Sequence, residues 1–275
     1  MSNFLQRTLT GALFLVIMIG GIVWSYWSML LLFFIISMLG LSEFYKLAGI
    51  AGIHPQKWLG MAIGAVIFFL AAADARLNMY FVFMLGFPFI ITLFFAELYR
   101  NSPTPFQNIA FGLLGIIYVL LPFAAWTSYL FPGNGIYNPH ILLGFFFILW
   151  TNDTGAYIVG SPLGKHKLWE RISPKKSWEG FIGGMAFSLA VAYLISHYFT
   201  DLSPALWIML GFIISIFGTL GDLVKSMFKR SINIKDSGNI LPGHGGILDR
   251  FDGLLLSTPF VLALLYIVNW VKQMM

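Results

Sequence analysis

Residues 226–253 read SMFKRSINIKDSGNILPGHGGILDRFDG and form a polar segment in a chain that is otherwise mostly apolar. The run Pro-Gly-His-Gly-Gly at 242–246 does not suit a regular helix, because glycine allows positive φ and brings backbone N–H groups close to a ligand. The charged or titratable side chains of the segment are Lys229, Arg230, Lys235, Asp236, His244, Asp249, Arg250 and Asp252. Arginine and lysine bind phosphate oxygens, and carboxylates bind Mg²⁺. The segment therefore favours metal–phosphate chemistry over a solvated, self-paired loop, which would require neither the glycines nor the histidine.

The order of residues in this segment resembles the signature of phosphatidate cytidylyltransferases, also called CDP-diacylglycerol synthases. The matching positions are Ser226, Lys229, Arg230, Lys235, Asp236, Gly238, Pro242, Gly243, His244, Gly245, Gly246, Asp249, Arg250 and Asp252. The resemblance implies transfer of a cytidylyl group from CTP to phosphatidic acid, with CDP-diacylglycerol and pyrophosphate as products. Mg²⁺ or Mn²⁺ is the expected cofactor, and no nucleic-acid partner is expected.

The composition indicates a membrane protein. Of the 275 residues, 59% are hydrophobic and only 10% are charged, whereas about a quarter of the residues of a soluble domain are charged. The chain has no cysteine, which excludes disulfides, thiolate nucleophiles and cysteine-ligated zinc. The net charge of +5 suits an anionic membrane face or a phosphate substrate, but it is a modest signal.

The apolar runs predict an all-α, polytopic integral membrane protein with about nine transmembrane helices that pass through the lipid bilayer. As one helix, Thr8–Ser42 would be about 50 Å long, more than the roughly 30 Å hydrocarbon core, so it must fold back. The turn is expected at 24–28, and Glu43 and Lys46 are expected to end the second span. The remaining spans are expected at 58–73, 79–95, 108–130, 140–160, 180–199, 206–221 and 253–271, and the eighth is expected to continue as a polar helix to about residue 230.

The distribution of positive charge predicts the orientation. If the N-terminus and every even-numbered loop share one side, that side holds 14 of the 16 Lys and Arg residues, and only Arg76 and Lys272 lie opposite. The positive-inside rule then places the N-terminus in the cytoplasm and the C-terminus outside. Without the ten charges of the two polar loops the split is four to two, with the same sign. We therefore expect a protein of the cytoplasmic (inner) membrane whose active site faces the cytoplasm.

The chain reads as a single membrane domain. Residues 1–143 are expected to form N-terminal transmembrane helices. Residues 144–275 are expected to form the catalytic transmembrane region, with two cytoplasmic polar loops between spans six and seven and between spans eight and nine. The sequence leaves the oligomeric state open, with a homodimer as one option.

Asn152 and Asp153 lie within or at the end of the sixth span. A carboxylate there is expensive and should face a partner or a water-filled cavity. One interpretation is a substrate or metal contact, and the other is an Asn/Asp pair that bonds backbone groups where the span ends. We favour the first, because intramembrane carboxylates usually mark functional pathways and because the stretch resembles an Asn-Asp-x2-Ala-Tyr element of the family.

The loop after the sixth span contains Gly160–Lys167 and then Ser-Pro-Lys-Lys-Ser-Trp-Glu-Gly at 173–180. The first run is not a Walker A motif, because only three residues separate its glycines and no Ser or Thr follows the lysine. In the second run, the two serines can cap a helix, with the glutamate in an early turn. The lysines of this loop can bind nucleotide phosphates or anionic lipid headgroups. The resemblance of the second run to a family element favours nucleotide binding by Lys165, Lys175 and Lys176.

Asp222, Lys225, Ser226 and Lys229 recur at helical spacing, so they are expected to share one face at the end of the eighth span. Asp249 and Asp252 are three residues apart at the start of the ninth. Two interpretations stay open for these carboxylates. They can bind a divalent metal, or they can form salt bridges with the lysines and arginines around them.

The predicted roles divide into three groups. We expect phosphate contact, not proton transfer, from His244, because an ionised phosphate needs no general base. The predicted catalytic residues are Asp222, Lys229, Arg230, His244, Asp249, Arg250 and Asp252, and the predicted metal ligands are Asp222, Asp249 and Asp252. The predicted substrate-binding residues are Asn152, Asp153, Lys165, Lys175, Lys176, Ser226, Lys235, Asp236, Gly243, Gly245 and Gly246.

Two other functions fit parts of this pattern. A secondary transporter for an anionic solute would suit the intramembrane Asn-Asp pair and the Gly/Pro-interrupted spans. However, it would place polar residues at mid-membrane in both halves, whereas here they cluster at one face of the second half. Another CTP-using lipid enzyme, such as a polyprenol kinase or an archaeal CDP-lipid synthase, would differ in its acceptor.

Overall fold

The structure is a computed structural model that describes residues 3–77, 79–131, 136–234, 238 and 245–274, with side chains for all of these except 3–7 and 74–83. The described chain is nearly all helical. The helices are α1 (Asn3–Trp24), α2 (Tyr26–Ile50), α3 (Lys57–Leu77), α4 (Met79–Arg100), α5 (Pro105–Gly115), α6 (Leu121–Tyr129), α7 (His140–Leu163), α8 (Trp178–Tyr198), α9 (Pro204–Ser231) and α10 (Leu248–Met274). A π-helical turn, Ile116–Leu120, joins α5 to α6. Two short strands, β1 (Lys167–Trp169) and β2 (Ser173–Ser177), precede α8.

Each of the nine segments predicted to span the membrane coincides with a helix, once α5, the π turn and α6 are taken as one. Among the described residues, six helices are long and apolar enough to cross a membrane. They are Tyr26–Ile50, Pro105–Tyr129, His140–Leu163, Trp178–Tyr198, Pro204–Ser231 and Leu248–Met274. Thr8–Trp24 and Lys57–Ala73 are apolar but shorter. The structure therefore supports a largely α-helical fold with six candidate spans.

The break in the first apolar run lies inside the predicted turn. Ser25 has extended backbone angles and begins α2, and its hydroxyl accepts a hydrogen bond from the Ser28 N–H at 3.1 Å. The Ser28 hydroxyl accepts one from the Ser25 N–H at 3.0 Å, which completes a capping box. At its other end α2 continues through Glu43 and Lys46 to Ile50. These two charges therefore lie within α2 and not at its end, and the Glu43 carboxylate is buried against backbone donors.

The β-ribbon before α8 is a departure from the predicted all-α fold. Strands β1 and β2 pair antiparallel, with Lys167 opposite Ser177 and Trp169 opposite Ser173. Ser173 therefore begins a strand and does not cap a helix. Ser177 does cap α8, because its hydroxyl accepts a hydrogen bond from the Gly180 N–H at 3.1 Å.

The chain divides into two compact units. The first comprises Met1–Asn138 and Asp236–Arg250, and the second comprises Pro139–Lys235 and Phe251–Met275. The glycine-rich turn therefore belongs to the first unit, together with the N-terminal helices. The loop with the β-ribbon belongs to the second unit, with α7, α8, α9 and most of α10.

Glycines in the second unit let helix backbones approach closely. A methyl group at Gly221 of α9 would overlap the carbonyl oxygen of Asp252 on α10, and one at Gly253 would lie 3.5 Å from the Cα of Gly218. A methyl group at Gly180 of α8 would lie 3.2 Å from the Cα of Gly160 on α7. Helices that touch through glycine bring the side chains next to those glycines within hydrogen-bonding distance of each other.

We predict that Gly221→Ala destabilises the protein by about 1–3 kcal/mol, because the added methyl group overpacks the contact between α9 and α10. The measurement is the thermal unfolding midpoint of the purified protein in detergent. Gly20→Ala is the matched control, because a methyl group at exposed Gly20 of α1 meets nothing within 4 Å. Equal midpoints for the two variants would contradict the close contact at Gly221.

Candidate functional site

A network of carboxylates and lysines occupies the second unit. The carboxylate of Asp222 accepts hydrogen bonds from the Nζ atoms of Lys176 at 2.8 Å and Lys225 at 2.7 Å. The same Lys225 Nζ lies 2.5 Å from Oδ2 of Asp252. The side chains of Lys225 and Asp252 are only 10% and 14% exposed. One ammonium group is therefore shared by two carboxylates away from bulk water.

Three elements supply the members of this network. Asp222 and Lys225 lie three residues apart on α9, which places them on one helix face as predicted. Asp252 lies on α10, where the contact at Gly221 brings the two helices together. Lys176 comes from β2, and its Nζ also lies 3.4 Å from the carbonyl oxygen of Thr219.

The two adjacent lysines of β2 differ in their surroundings. Side chains of neighbouring strand residues point to opposite faces. The half-buried Lys176 reaches Asp222, whereas Lys175 is exposed. Of the lysines in this loop that were predicted to bind substrate, the structure therefore places Lys176 in the network. Lys165 is exposed, like Lys175.

Asn152 and Asp153 of α7 are neighbours with different environments. Asn152 is 2% exposed, and its amide nitrogen lies 3.5 Å from the hydroxyl of Thr219. Its carbonyl oxygen has no hydrogen-bond partner in the described structure and faces Gly184, where a methyl group would lie 2.9 Å away. Asp153 is exposed and interacts electrostatically with Lys176, Asp222, Lys225 and Asp252. Asp153 is therefore the member of the pair that is open to a ligand, and Asn152 is enclosed by packing.

The turn between α7 and β1 is held by Glu179. Its carboxylate accepts hydrogen bonds from the backbone N–H groups of Lys165 and His166 at 3.2 Å, and it lies 2.6 Å from Nδ1 of His166. Glu179 is in the first turn of α8, as predicted from the sequence. The glutamate therefore connects the start of α8 to the turn that leads into the ribbon carrying Lys176.

The glycine-rich turn is described by its last residues. Gly245 has φ of +81°, which confirms the expectation that glycine supplies a positive φ here. The Gly246 N–H donates to Oδ2 of Asp249 at 3.4 Å, so Asp249 caps the turn that precedes it. Arg250 is exposed. Lys235, Asp236, Gly243 and His244 lie outside the described residues.

The remaining predicted residues follow the network along α9. Ser226 and Lys229 are half-buried, and Arg230 is exposed with its Nη1 3.5 Å from the carbonyl oxygen of Ile234. They continue the polar end of the helix that the sequence predicts.

The network can be tested as a cation site. Within the described ranges, no group of three or more His, Cys, Asp or Glu side chains is arranged to hold a metal ion. In the structure, Asp222 and Asp252 form salt bridges with Lys225. The oxygens of Asp222 and Asp252 also converge on a single atom, the Lys225 Nζ. Hard oxygen donors such as these are chemically suited to Mg²⁺.

Sequence reasoning did not assign a site role to Lys225, Thr219 or Glu179. Lys225 had a usable signal, because it follows Asp222 by three residues on a polar helix face. Glu179 had one as well, as an acidic residue in a first helical turn. Thr219 gave no signal, since a threonine in an apolar helix is common and its contacts lie on other elements.

Comparison with known proteins agrees with the motif. The model of the cytidylyltransferase family matches residues 5–268. A phosphatidate cytidylyltransferase of Staphylococcus haemolyticus is 38% identical over 262 residues, which cover 94% of this chain and 98% of the relative. One of Staphylococcus saprophyticus is 40% identical over 270 residues, with the same coverage. One of Staphylococcus aureus is 48% identical over 177 residues, which cover 64% of this chain and 65% of the relative. The match runs almost from end to end of a chain that carries this motif and this network. The chain therefore belongs to the cytidylyltransferase family.

Proposed function

We propose that this protein transfers a cytidylyl group from CTP to phosphatidic acid, with CDP-diacylglycerol and pyrophosphate as products. The observation that carries the proposal is the network of Lys176, Asp222, Lys225 and Asp252 in a chain whose near full-length relatives are phosphatidate cytidylyltransferases. Both substrates are anionic, so the enzyme has to neutralise charge and align two phosphates. Lysines that are held in place by aspartates meet the first requirement.

The reaction needs no nucleophilic side chain. A phosphate oxygen of the lipid attacks the α-phosphorus of CTP, a new P–O bond forms, and the bond to the bridging oxygen of the β-phosphate breaks. Pyrophosphate leaves with the electron pair of that bond, opposite the attacking oxygen. The lipid phosphate is already ionised near neutral pH, so no general base has to remove a proton. The chain contributes binding, alignment and charge neutralisation through residues such as Lys176.

We also propose that a divalent cation, Mg²⁺ or Mn²⁺, is bound by Asp222, Asp252 and Asp249. Asp222 and Asp252 are supported by the convergence of their oxygens on one atom. Asp249 enters the proposal from the sequence motif, one helical turn before Asp252. The bound ion would supply charge neutralisation at the triphosphate. The residues of the chain fix where that charge lies.

The proposed orientation has nine spans, a cytoplasmic N-terminus and the polar loops on the cytoplasmic side of the inner membrane. It is supported by the distribution of Lys and Arg and by the helices that coincide with all nine predicted segments. It agrees with the chemistry, because CTP arrives from the cytoplasm while the lipid lies in the membrane.

The first prediction concerns the products and the side of the reaction. Purified protein in detergent, given labelled CTP and phosphatidate, should form lipid-soluble label and release pyrophosphate.

In sealed inside-out vesicles, CTP added outside should react, and in right-side-out vesicles it should not. Release of CDP with a phosphorylated lipid would instead indicate a kinase, and the reverse sidedness would overturn the orientation.

The second prediction separates Lys176 from its neighbour. Lys176→Ala should raise the KM for CTP at least several-fold, and more than Lys175→Ala does. The reason is that, of these two adjacent lysines, Lys176 is the one that reaches Asp222. Lys167→Ala is the matched control, because Lys167 is an exposed lysine of the same ribbon. This variant should leave the KM for CTP and the KM for phosphatidate unchanged. Equal effects of Lys175→Ala and Lys176→Ala on CTP and lipid, relieved by added anionic lipid, would favour headgroup anchoring.

The third prediction concerns the metal. Asp222→Asn and Asp249→Asn should each lower turnover by at least 100-fold and raise the Mg²⁺ concentration needed for the residual rate. They should also weaken Mn²⁺ binding, measured by electron paramagnetic resonance without substrate. If the aspartates serve only as salt-bridge partners, the variants should lower the thermal midpoint and leave both metal measurements unchanged.

A further inference from the structure

A buried glutamate of α2 binds the start of α10 within the first unit. Glu43 is 3% exposed. Its Oε2 accepts a hydrogen bond from the Ile247 N–H at 2.7 Å, and its Oε1 accepts one from the Leu248 N–H at 3.3 Å. The two partners are more than 200 residues away along the chain. From the sequence alone, Glu43 was expected only to end a span.

The first N–H groups of a helix have no partner within the helix, and a carboxylate there is stabilised both by hydrogen bonds and by the helix dipole. The residue that starts a helix usually supplies such a cap from its own side chain. Here the residues before α10 are Gly245, Gly246 and Ile247, which have no side-chain acceptor. Glu43 supplies the missing acceptors from another helix.

The same face of α2 also packs against the start of α10. A methyl group at Gly40, one turn before Glu43, would lie 3.4 Å from Cγ2 of Ile247 and 3.8 Å from Cδ2 of Leu248. Ile247 and Leu248 are 6% and 3% exposed. An apolar contact at Gly40 and two hydrogen bonds at Glu43 together fix the position of this helix start.

Glu43 contacts the chain on both sides of the glycine-rich run, at Gly238 before it and at Ile247 and Leu248 after it. Gly238 lies beside Glu43, since a methyl group there would be 3.4 Å from the carboxylate carbon. The N–H groups of Gly246, Ile247 and Leu248 are bound in succession by Asp249, Glu43 and Glu43 again. Three successive N–H groups of the backbone that leads into Asp249 are therefore bound by carboxylates.

We propose that Glu43 is a positioning residue for the reaction. It does not touch the substrates but fixes the end of the glycine-rich turn and, through it, the direction of Asp249. The proposal rests on the proposed function, in which this turn and Asp249 act on phosphates and the metal. It gives the N-terminal half of the chain a part in catalysis beyond that of a membrane anchor.

The test compares Glu43→Gln with Glu97→Gln. Glutamine has the same volume as Glu43, but its side-chain NH₂ group replaces one carboxylate oxygen. One of the two backbone N–H groups then faces a donor and loses its hydrogen bond. Glu97 is the matched control, because it is an equally buried carboxylate of the same unit. It accepts hydrogen bonds from Asn108 at 2.6 Å and Gln56 at 2.9 Å, and no described contact joins it to the turn. For each variant we would measure kcat, KM, the thermal midpoint in detergent and the hydrogen exchange of the amides of 245–250.

Glu43→Gln should lower kcat by about 10- to 100-fold, which is typical of residues that orient a reacting group, and should speed amide exchange at 245–250. Glu97→Gln should lower the thermal midpoint but leave kcat and that exchange at wild-type values. Glu43→Asp keeps both acceptor oxygens one methylene short, so it should change both measurements in the same direction by less. If Glu43→Gln does not fold, Glu43→Asp provides the same test.

The proposal is overturned if the Glu43 variants lower only the thermal midpoint, as the Glu97 variant does, with kcat and exchange at 245–250 unchanged. Absence of cytidylyl transfer by the wild-type protein would reject the proposed function instead. In that case the exchange measurement still decides whether Glu43 holds the turn, because it requires no substrate.

Discussion

The ammonium group of Lys225, shared by Asp222 and Asp252, is the interaction on which the second unit depends. Charged side chains that are largely removed from water are stable only when they are paired and hydrogen-bonded, and removing one partner leaves an expensive unpaired charge. This pairing requires the backbones of α9 and α10 to be in contact, which only a residue without a side chain at 221 permits. Glycine at position 221 therefore allows Lys225 of α9 to reach Asp252 of α10.

The parts of the structure that the sequence predicts well are those set by neighbours along the chain. Long apolar runs become helices because a membrane-spanning backbone must satisfy its hydrogen bonds internally. Ser25 and Ser177 begin helices because their hydroxyls accept hydrogen bonds from N–H groups three residues later. Gly245 adopts a positive φ that other residues disfavour. Each of these features depends on a few consecutive residues, so a local pattern is sufficient to find it.

Features that depend on contacts between distant segments were not predictable in this way. The β-ribbon was missed because its strands, of three and five residues, are too short for a periodic pattern to be recognised. Nothing in the local sequence indicates that Lys176 pairs with Asp222, 46 positions later, or that Glu43 binds the start of α10. The sequence left a choice between metal ligation and salt bridges for Asp222, Asp249 and Asp252. The structure shows why the choice was open, since the oxygens that pair with Lys225 are also suited to a cation.

A site for two anionic substrates that consisted only of cations would bind substrates and pyrophosphate alike, and tight uniform binding does not accelerate a reaction. The aspartates oppose that tendency. Each lysine is already neutralised by a carboxylate, so a phosphate has to compete for it, and the gain on binding is smaller than with a bare ammonium group. Lys176 is the more exposed lysine of the network and contacts one carboxylate, whereas Lys225 contacts two. Under the proposed function, Lys176 is therefore the lysine that can exchange its aspartate for a phosphate, and Lys225 is the one that keeps Asp222 and Asp252 in place while it does so.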